Sequence, residues 1–395
     1  MDDTRSRFGR RWPSLGVRRL PVIDVMRGSA MLLVILSHAA ALVDIRSAPA
    51  QAYLALIRFT NLASIAFVFL SGTMVSYFFE TCDRRRVALR FARRALFLAF
   101  VIHPAIWLAC WFWSPGQPLV MLRAWYITDT IAVCLLIGPP IMRLLTLRSR
   151  VVVAALLPIV AALARVFLVP SSELGVTLKY LAVGSVPLSI SYPLLPWLAV
   201  FLAGSVLGAT IARAGENRDG LRELSGGLIR TGAALVGAGV ATVAIYKAAR
   251  AFLPDWWNPE LLQSIRPDRT TILFPAYLGA VLLLLAFIIH HHNRPGGSSW
   301  FAWAISVIGR TSLFAFVTQF AVVWSLPALL GLRKSLTIVT LWPTFLFSAA
   351  LVWCLCYAYG RLTNRVRVHE HPWPLQVGAS GRQVPDRAAD EALSV

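Results

Sequence analysis

The sequence predicts an all-helical polytopic membrane protein, with about ten transmembrane helices and both termini in the cytoplasm. Two observations support this prediction. Of the 395 residues, 57% are hydrophobic and only 14% are charged, an apolar content that a soluble globular chain of this length does not need. The apolar residues also fall into long runs, most of them about 18 residues or longer, which is enough to cross a bilayer as a helix.

Ten apolar runs are long enough to be transmembrane helices. Short polar segments, several of them rich in arginine, separate one run from the next. The predicted spans cover residues 22–44, 56–79, 91–113, 125–146, 151–169, 192–212, 227–250, 271–291, 301–330 and 336–360.

Basic residues set the orientation, because cytoplasmic loops carry an excess of Lys and Arg. With the N-terminus in the cytoplasm, 25 of the 38 basic residues lie in cytoplasmic segments and ten on the other side. The net charge of +20 is therefore topogenic, and we expect no nucleic-acid partner. We divide the chain into a basic cytoplasmic segment (1–20), a transmembrane domain (21–362) and a disordered cytoplasmic tail (363–395).

The first span carries two residues that are costly in a membrane, Arg27 and His38. Such residues mark a functional site by default. Eleven residues of helix turn through about 1100° and rise about 16.5 Å, so the two side chains share one helix face. Asp24 lies within about 40° of His38 around the same helix. A lone buried histidine can serve packing alone, but His38 is part of a polar stripe and is a natural general base for an attacking hydroxyl or amine.

The fourth span opens with Trp125-Tyr-Ile-Thr-Asp129. Asp129 enters this span from the outer side at roughly the depth that His38 has in the first span. It is therefore a candidate for the carboxylate that orients His38 and stabilises its cation. An aspartate at a helix start also caps free backbone N–H groups, and both interpretations stay open here.

Three arginines, Arg90, Arg93 and Arg94, lead directly into the third span. Most of this basic cluster serves topology. Arg90 and Arg94 nevertheless share a helix face, and together with Arg27 they can clamp phosphates at the cytoplasmic mouth. His103 follows, before a proline that leaves backbone carbonyls without partners. It is either a lining group or a partner of those carbonyls, and the structural role is favoured.

Further polar residues lie in or near the other spans. Arg165 is a candidate partner for Asp129 or for an anionic acceptor. Arg310 and Gln319 are buried polar groups without an assigned role. Ser71, with the glycine that follows it, lets two helices approach closely. The residues that we expect to line the substrate site are Ser71, His103, Arg165, Arg310 and Gln319.

No metal site is expected. The five cysteines are an odd number without metal-type spacing, and we interpret them as small hydrophobic residues. The histidine run at 290–292 has no carboxylate or cysteine close in sequence, so a metal site there is weakly supported. Close helix packing, and not phosphate binding, is the expected role of a set of glycines: Gly204, Gly208, Gly226, Gly227, Gly232, Gly237 and Gly239.

These polar positions resemble those of the transmembrane acyltransferase superfamily, which includes the bacterial acyltransferase-3 family and the heparan-alpha-glucosaminide N-acetyltransferase catalytic domain family. The first span is similar to the family opening, in which Arg and Asp precede Leu-Arg-Gly and a histidine completes an Arg-x10-His motif. The segments that carry the resemblance are 19–38, 66–72, 90–104, 125–139 and 309–314.

One position departs from the pattern, because the late span often carries a histidine where this chain has Gln319. No role of that histidine therefore carries over. Residues 192–198 are similar to the heparan-type branch, whereas the phenylalanine-rich second span is similar to the membrane succinyltransferases of periplasmic glucans. The sequence does not separate these branches.

The resemblance implies a membrane-bound O- or N-acyltransferase of the bacterial inner membrane. The co-substrate would be acyl-CoA, as acetyl-CoA or succinyl-CoA, entering from the cytoplasm. The acceptor would be a hydroxyl or amine of an extracytoplasmic envelope glycan or a lipid-linked sugar. His38 would be the catalytic histidine, with Asp129 beside it. The residues expected to hold the donor are Asp24, Arg27, Arg90, Arg93 and Arg94.

Two rival interpretations remain. A proton-coupled transporter or flippase would use His38, Asp129 and Arg165 to relay protons or bind a substrate anion. Such a protein should show inverted repeats or paired broken helices, and the sequence shows neither clearly. The third interpretation is a membrane scaffold, in which the polar stripe serves packing. The oligomeric state is open, and the sequence is compatible with an oligomer.

Overall fold

The computed structural model describes residues 20–44, 46, 49–113, 124–184, 192–214, 218–252, 274–292, 300–331 and 335–363. Within these ranges the chain is built from α-helices, and an isolated bridge pairs Val43 with Leu336. The predicted basic N-terminal segment and the predicted tail lie almost wholly outside the described residues.

Fifteen α-helices and two π-helical turns, π1 and π2, make up the described fold. In chain order they are α1 (Pro21–Ala40), α2 (Ala50–Thr60), α3 (Leu62–Thr81), α4 (Arg84–Phe97), π1 (Leu98–Ile102), α5 (His103–Trp113), α6 (Ile127–Leu144), α7 (Leu147–Phe167), α8 (Glu173–Val183), α9 (Leu194–Ala214), α10 (Arg218–Phe252), α11 (Phe274–His292), α12 (Trp300–Arg310), α13 (Ser312–Phe320), π2 (Ala321–Ser325), α14 (Leu326–Leu329) and α15 (Ile338–Leu362).

The helical fold class and the set of membrane spans are confirmed. Ten described helical segments are long and apolar enough to cross a membrane, and each corresponds to one of the predicted runs. The orientation of the termini stays a prediction. One boundary is wrong: the predicted ninth span, 301–330, is interrupted at Thr311, so that α12 is separate from the spanning segment Ser312–Leu329. At this interruption the end of α12 lies against the start of α1.

Local sequence signals explain several helix starts. Asp83 begins α4, where its carboxylate accepts a hydrogen bond from the Arg86 backbone N–H at 2.8 Å. Thr146 and Thr337 cap α7 and α15 in the same way, each through its hydroxyl oxygen at 3.2 Å. Such caps satisfy N–H groups that have no partner within the helix.

Each π-helical turn is followed closely by a proline. Pro104 comes two residues after π1 and Pro327 two residues after π2. A proline inside a helix lacks an N–H and its ring crowds the carbonyl four residues earlier. That carbonyl belongs to π1 in the first case and to π2 in the second, and a local widening of the helix relieves the crowding. Such π-turns are frequent at functional sites.

Glycines allow the backbones of α3 and α9 to touch. A Cβ at Gly72 would lie 1.9 Å from the Phe201 carbonyl oxygen, and one at Gly204 or Gly208 would lie 1.9 or 2.1 Å from a carbonyl oxygen of α3. The predicted packing role is therefore confirmed for this crossing. It is confirmed for Gly232 and Gly239, which pack against α11, and it is wrong for Gly226, Gly227 and Gly237, where a Cβ would meet no atom of the described residues within 4 Å.

Candidate functional site

His38 lies near the end of α1 and is held by the side chain of Gln319. The distance from His38 Nδ1 to Gln319 Oε1 is 2.6 Å. An amide oxygen only accepts hydrogen bonds, so Nδ1 carries the proton and donates it. The other ring nitrogen, Nε2, then keeps its lone pair. This is the tautomer that a general base requires.

Aromatic rings surround the imidazole. The rings of Phe320 and Trp324 lie 4.9 and 4.7 Å from it, measured between centroids. The indole N–H of Trp324 donates to the His38 backbone carbonyl at 3.3 Å. Since π2 begins directly after Phe320 and contains Trp324, the widened turn places this ring against His38. The histidine therefore has a fixed orientation in a largely apolar setting.

A second polar cluster lies at the opposite end of α1. Arg310, the last residue of α12, approaches Asp24 with its Nε 4.0 Å from a carboxylate oxygen. Arg27 is one helical turn after Asp24 and interacts with the same carboxylate electrostatically. Two cations thus lie near one anion, and these three side chains together carry one net positive charge. Such an arrangement favours an anionic ligand.

The crossing of α1 and α12 holds this cluster together. A Cβ at Gly28 would lie 2.0 Å from the Ile305 carbonyl oxygen, and a Cβ at Gly309 would lie 1.8 Å from the Asp24 carbonyl oxygen. Only glycine at both positions allows this approach. The contact fixes Arg310 beside the first turns of α1. The sequence had not revealed this contact.

The two ends of α1 differ in chemistry. Cationic groups lie at its start, and a half-buried imidazole lies at its end. From Asp24 to His38 the helix rises about 21 Å, and from Arg27 to His38 about 16.5 Å. A long molecule with an anionic end and a reactive end would match both positions at once.

The structure gives Asp129 a different partner from the one expected. Its carboxylate accepts from His103 Nδ1 at 2.8 and 3.0 Å and from the Tyr126 backbone N–H at 2.7 Å. The predicted pairing of Asp129 with His38 is therefore replaced by a pairing with His103, and the helix-capping interpretation applies. Matching depth along two spans did not imply contact, because depth does not decide which side of a helix faces which neighbour.

The His103–Asp129 pair has the geometry of an oriented base. The Tyr126 ring meets the His103 ring edge-on at 5.2 Å, and His103 is the first residue after π1. Since a carboxylate only accepts, Nδ1 of His103 carries the proton. Each π-turn of the described chain therefore lies next to a candidate histidine. π1 directly precedes His103, and π2 contains Trp324, whose ring contacts His38.

The remaining candidate residues are distributed over other contacts. The side chains of Arg90, Arg93 and Arg94 are exposed on α4, and the Arg90 guanidinium lies 5.7 Å from the centre of the Phe78 ring. The Ser71 hydroxyl donates to the Phe67 carbonyl at 2.8 Å. Arg165 donates to the Val183 carbonyl, so its expected pairing with Asp129 is not what the structure shows.

Sequence reasoning missed the roles of Trp324 and Arg150. The signal for Trp324 was Pro327, which predicts a distorted helix just before it. Arg150 was counted as a topogenic cation, yet it is 3% exposed. It donates to the Ser76 hydroxyl at 3.1 Å and to the Met142 carbonyl at 2.9 Å. Its place in the first turn of α7 gives no sign of this burial.

Among the described residues, no group of three or more His, Cys, Asp or Glu side chains is arranged to hold a metal ion. The cysteines that the structure describes as free are Cys82, Cys134, Cys354 and Cys356.

A comparison with protein families gives one match. The family of the catalytic region of heparan-alpha-glucosaminide N-acetyltransferase matches residues 19–259, which is more than half of the chain. The matched range includes α1 with Asp24, Arg27 and His38, and it includes the His103–Asp129 pair. No curated protein and no solved structure shows significant similarity to the chain.

Proposed function

The chain belongs to the heparan-alpha-glucosaminide N-acetyltransferase catalytic family, and on this premise we propose an acyl transfer across the membrane. The protein is a multi-pass membrane acyltransferase of the transmembrane acyltransferase superfamily. We propose that the donor is cytoplasmic acyl-CoA, as acetyl-CoA or succinyl-CoA. The acceptor in this proposal is a hydroxyl or amine of an extracytoplasmic glycan or lipid-linked sugar of the bacterial inner membrane.

The hydrogen bond between His38 and Gln319 is the observation that carries this proposal. It leaves Nε2 of His38 as a base, on the same helix as Arg27 and about 16.5 Å from it. An extended pantetheine arm has a comparable length. The donor phosphates would therefore bind near Arg27 and Arg310 while the thioester reaches His38.

In the proposed reaction, His38 Nε2 takes the proton of the acceptor as its oxygen or nitrogen attacks the thioester carbonyl carbon. The carbon–sulfur bond then breaks, and the CoA sulfur leaves with that proton. In an alternative mechanism the acyl group is transferred first to His38 and then to the acceptor, and the overall reaction is the same.

The other charged residues have supporting parts in this proposal. Arg90, Arg93 and Arg94 are exposed, as residues would be that meet the donor phosphates first. His103 and Asp129 form a hydrogen-bonded pair, and in this proposal they would line the acceptor side. For a transporter, His38, Asp129 and Arg165 would form one polar set, but each of them contacts a different partner.

An acyl-transfer assay tests the proposal. The full-length protein in lipid nanodiscs is incubated with radiolabelled acetyl-CoA or succinyl-CoA and with amino-sugar and glucan acceptors. The variants are His38→Ala and, as a matched control, His291→Ala, which changes an exposed histidine at the end of α11.

We expect wild type and His291→Ala to transfer label, and His38→Ala to lose transfer by a factor of about 10²–10⁴. Equal rates in His38→Ala and the control would contradict the role of His38. No transfer by the wild type with any donor and acceptor would contradict the acyltransferase proposal and favour a transporter.

A further inference from the structure

Gln319 has a second polar group that the site described so far does not use. Its side chain is completely buried. Among the residues that the structure describes, Oε1 accepts from His38, whereas the amide nitrogen Nε2 has no hydrogen-bond partner. A buried donor without a partner costs roughly 1–3 kcal/mol. A donor that is unpaired in the free protein and next to a base indicates an acceptor atom on a bound ligand.

The position of this donor limits what it can contact. The 2.6 Å hydrogen bond and the size of the two polar groups keep Gln319 Nε2 within about 7 Å of His38 Nε2. A tetrahedral carbon fits this spacing, with its entering oxygen at His38 Nε2 and a second oxygen at the amide N–H. In an acyl transfer that second oxygen is the thioester carbonyl oxygen, which becomes negative as the acceptor attacks.

We propose that Gln319 is a catalytic residue that donates a hydrogen bond from Nε2 to the acyl carbonyl oxygen, while its Oε1 orients His38. This inference rests on the proposed acyl transfer. As the acceptor attacks, its proton passes to His38 Nε2 and the carbonyl π electrons pass to the oxygen that Gln319 binds. When the carbonyl re-forms, the carbon–sulfur bond breaks and the CoA sulfur takes the proton from His38.

The environment of Gln319 suits this role. Phe320 and Trp324 pack against the imidazole, Gln319 itself is completely buried, and a preorganised donor is most effective where water is excluded. The helix that carries Gln319, α13, packs against α1, α5 and α15. A donor that is fixed before the reaction needs no reorganisation when charge develops.

Three substitutions separate the two tasks of the amide. Gln319→Met has a similar size and loses both hydrogen bonds. Gln319→Glu keeps an acceptor for His38 Nδ1 but has no N–H donor. Gln319→His keeps both, because one ring nitrogen accepts and the other donates. His291→Ala is the control, since it changes an exposed side chain at the end of α11 and leaves Gln319 and His38 unchanged.

The probes are acetyl-CoA with glucosamine, whose ammonium group must lose a proton, and acetyl-CoA with hydroxylamine, which attacks without a base. Both are measured on the full-length protein in nanodiscs, as kcat and KM. The binding constant for acetyl-CoA and the unfolding temperature show whether each variant is folded.

We expect Gln319→Met and Gln319→Glu to lose about 10²–10³ in kcat with both acceptors, which is the usual loss for one such donor. KM for acetyl-CoA should stay within about threefold, because the interaction forms in the transition state. Gln319→His should recover at least tenfold over Gln319→Met, on the order of 1.4 kcal/mol.

Several results would overturn the inference. One is wild-type activity in Gln319→Glu with glucosamine, since then only the orientation of His38 matters. Another is an unchanged rate with hydroxylamine in Gln319→Met, because that reaction needs the donor and not the base. If Gln319→Glu does not fold, Gln319→Met and Gln319→His decide alone. An inactive wild type contradicts the acyl-transfer proposal itself and is seen before any variant is compared.

Discussion

The crossing of α1 and α12 makes a sharp prediction at Gly28. In Gly28→Ala the new Cβ would lie 2.0 Å from the Ile305 carbonyl oxygen and 2.7 Å from the Ile305 side chain. A backbone carbonyl cannot rotate away, so the helices must separate. Reaching ordinary contact at 3.4 Å requires a shift of about 1.4 Å, and such overpacking typically costs about 1–3 kcal/mol.

The same shift affects ligand binding. Arg310 already lies 4.0 Å from Asp24, so moving α12 outward separates this pair and displaces a cation from the proposed phosphate site. A misplacement of about 1 Å can cost up to 10²-fold in an enzyme. We therefore expect KM for acetyl-CoA to rise by about tenfold or more, with a lower unfolding temperature.

Gly237→Ala is the matched control. A Cβ there meets no atom within 4 Å, and alanine favours a helix over glycine by about 1 kcal/mol. Unfolding temperature and donor KM are measured for both variants in nanodiscs. If Gly28→Ala behaves like Gly237→Ala in both measurements, the close crossing and its role in positioning Arg310 are refuted.

Three further substitutions test separate parts of the account. Arg310→Gln removes one of the two cations near Asp24, so acetyl-CoA should bind about tenfold more weakly while the unfolding temperature changes little. An unchanged binding constant in calorimetry would contradict the phosphate site. Asp129→Ala removes the acceptor for His103 and for the Tyr126 N–H, so the free energy of unfolding should fall by about 1–3 kcal/mol. If stability were unchanged and kcat fell as much as in His38→Ala, Asp129 would instead take part in the chemistry. Arg150→Met removes the hydrogen bonds to Ser76 and Met142, so it should lower the unfolding temperature and leave KM for acetyl-CoA unchanged. A raised KM with an unchanged unfolding temperature would show that Arg150 binds the donor.

The sequence predicts the spans because hydropathy is a local property. Each of the ten spans contains enough consecutive apolar residues to be recognised without its neighbours. The break at Thr311 lies in the short polar run Gly309-Arg310-Thr311-Ser312, and it escaped prediction because apolar residues continue on both sides of that run. Close to the break, Gly309 packs against Asp24, and these residues are far apart in the chain.

The site was predictable only in part for the same reason. Periodicity along α1 places Asp24, Arg27 and His38 on one stripe, because they share a helix. The partner of His38 is Gln319, 281 residues later, and no spacing rule connects the two. The partner of Asp129 likewise depends on how α5 and α6 are rotated, which π1 changes locally.

The central claim is that the donor and the acceptor react from opposite sides of one membrane. The protein is reconstituted into sealed vesicles and sorted by orientation, with glucosamine trapped inside and radiolabelled acetyl-CoA added outside. We predict labelled acetylglucosamine inside only when the predicted cytoplasmic face, which carries Arg84, Arg85 and Arg86, points outward. With His38→Ala we predict no labelled product in either orientation. Absence of labelled product inside in both orientations, from protein that is active once the vesicles are opened with detergent, would contradict the account.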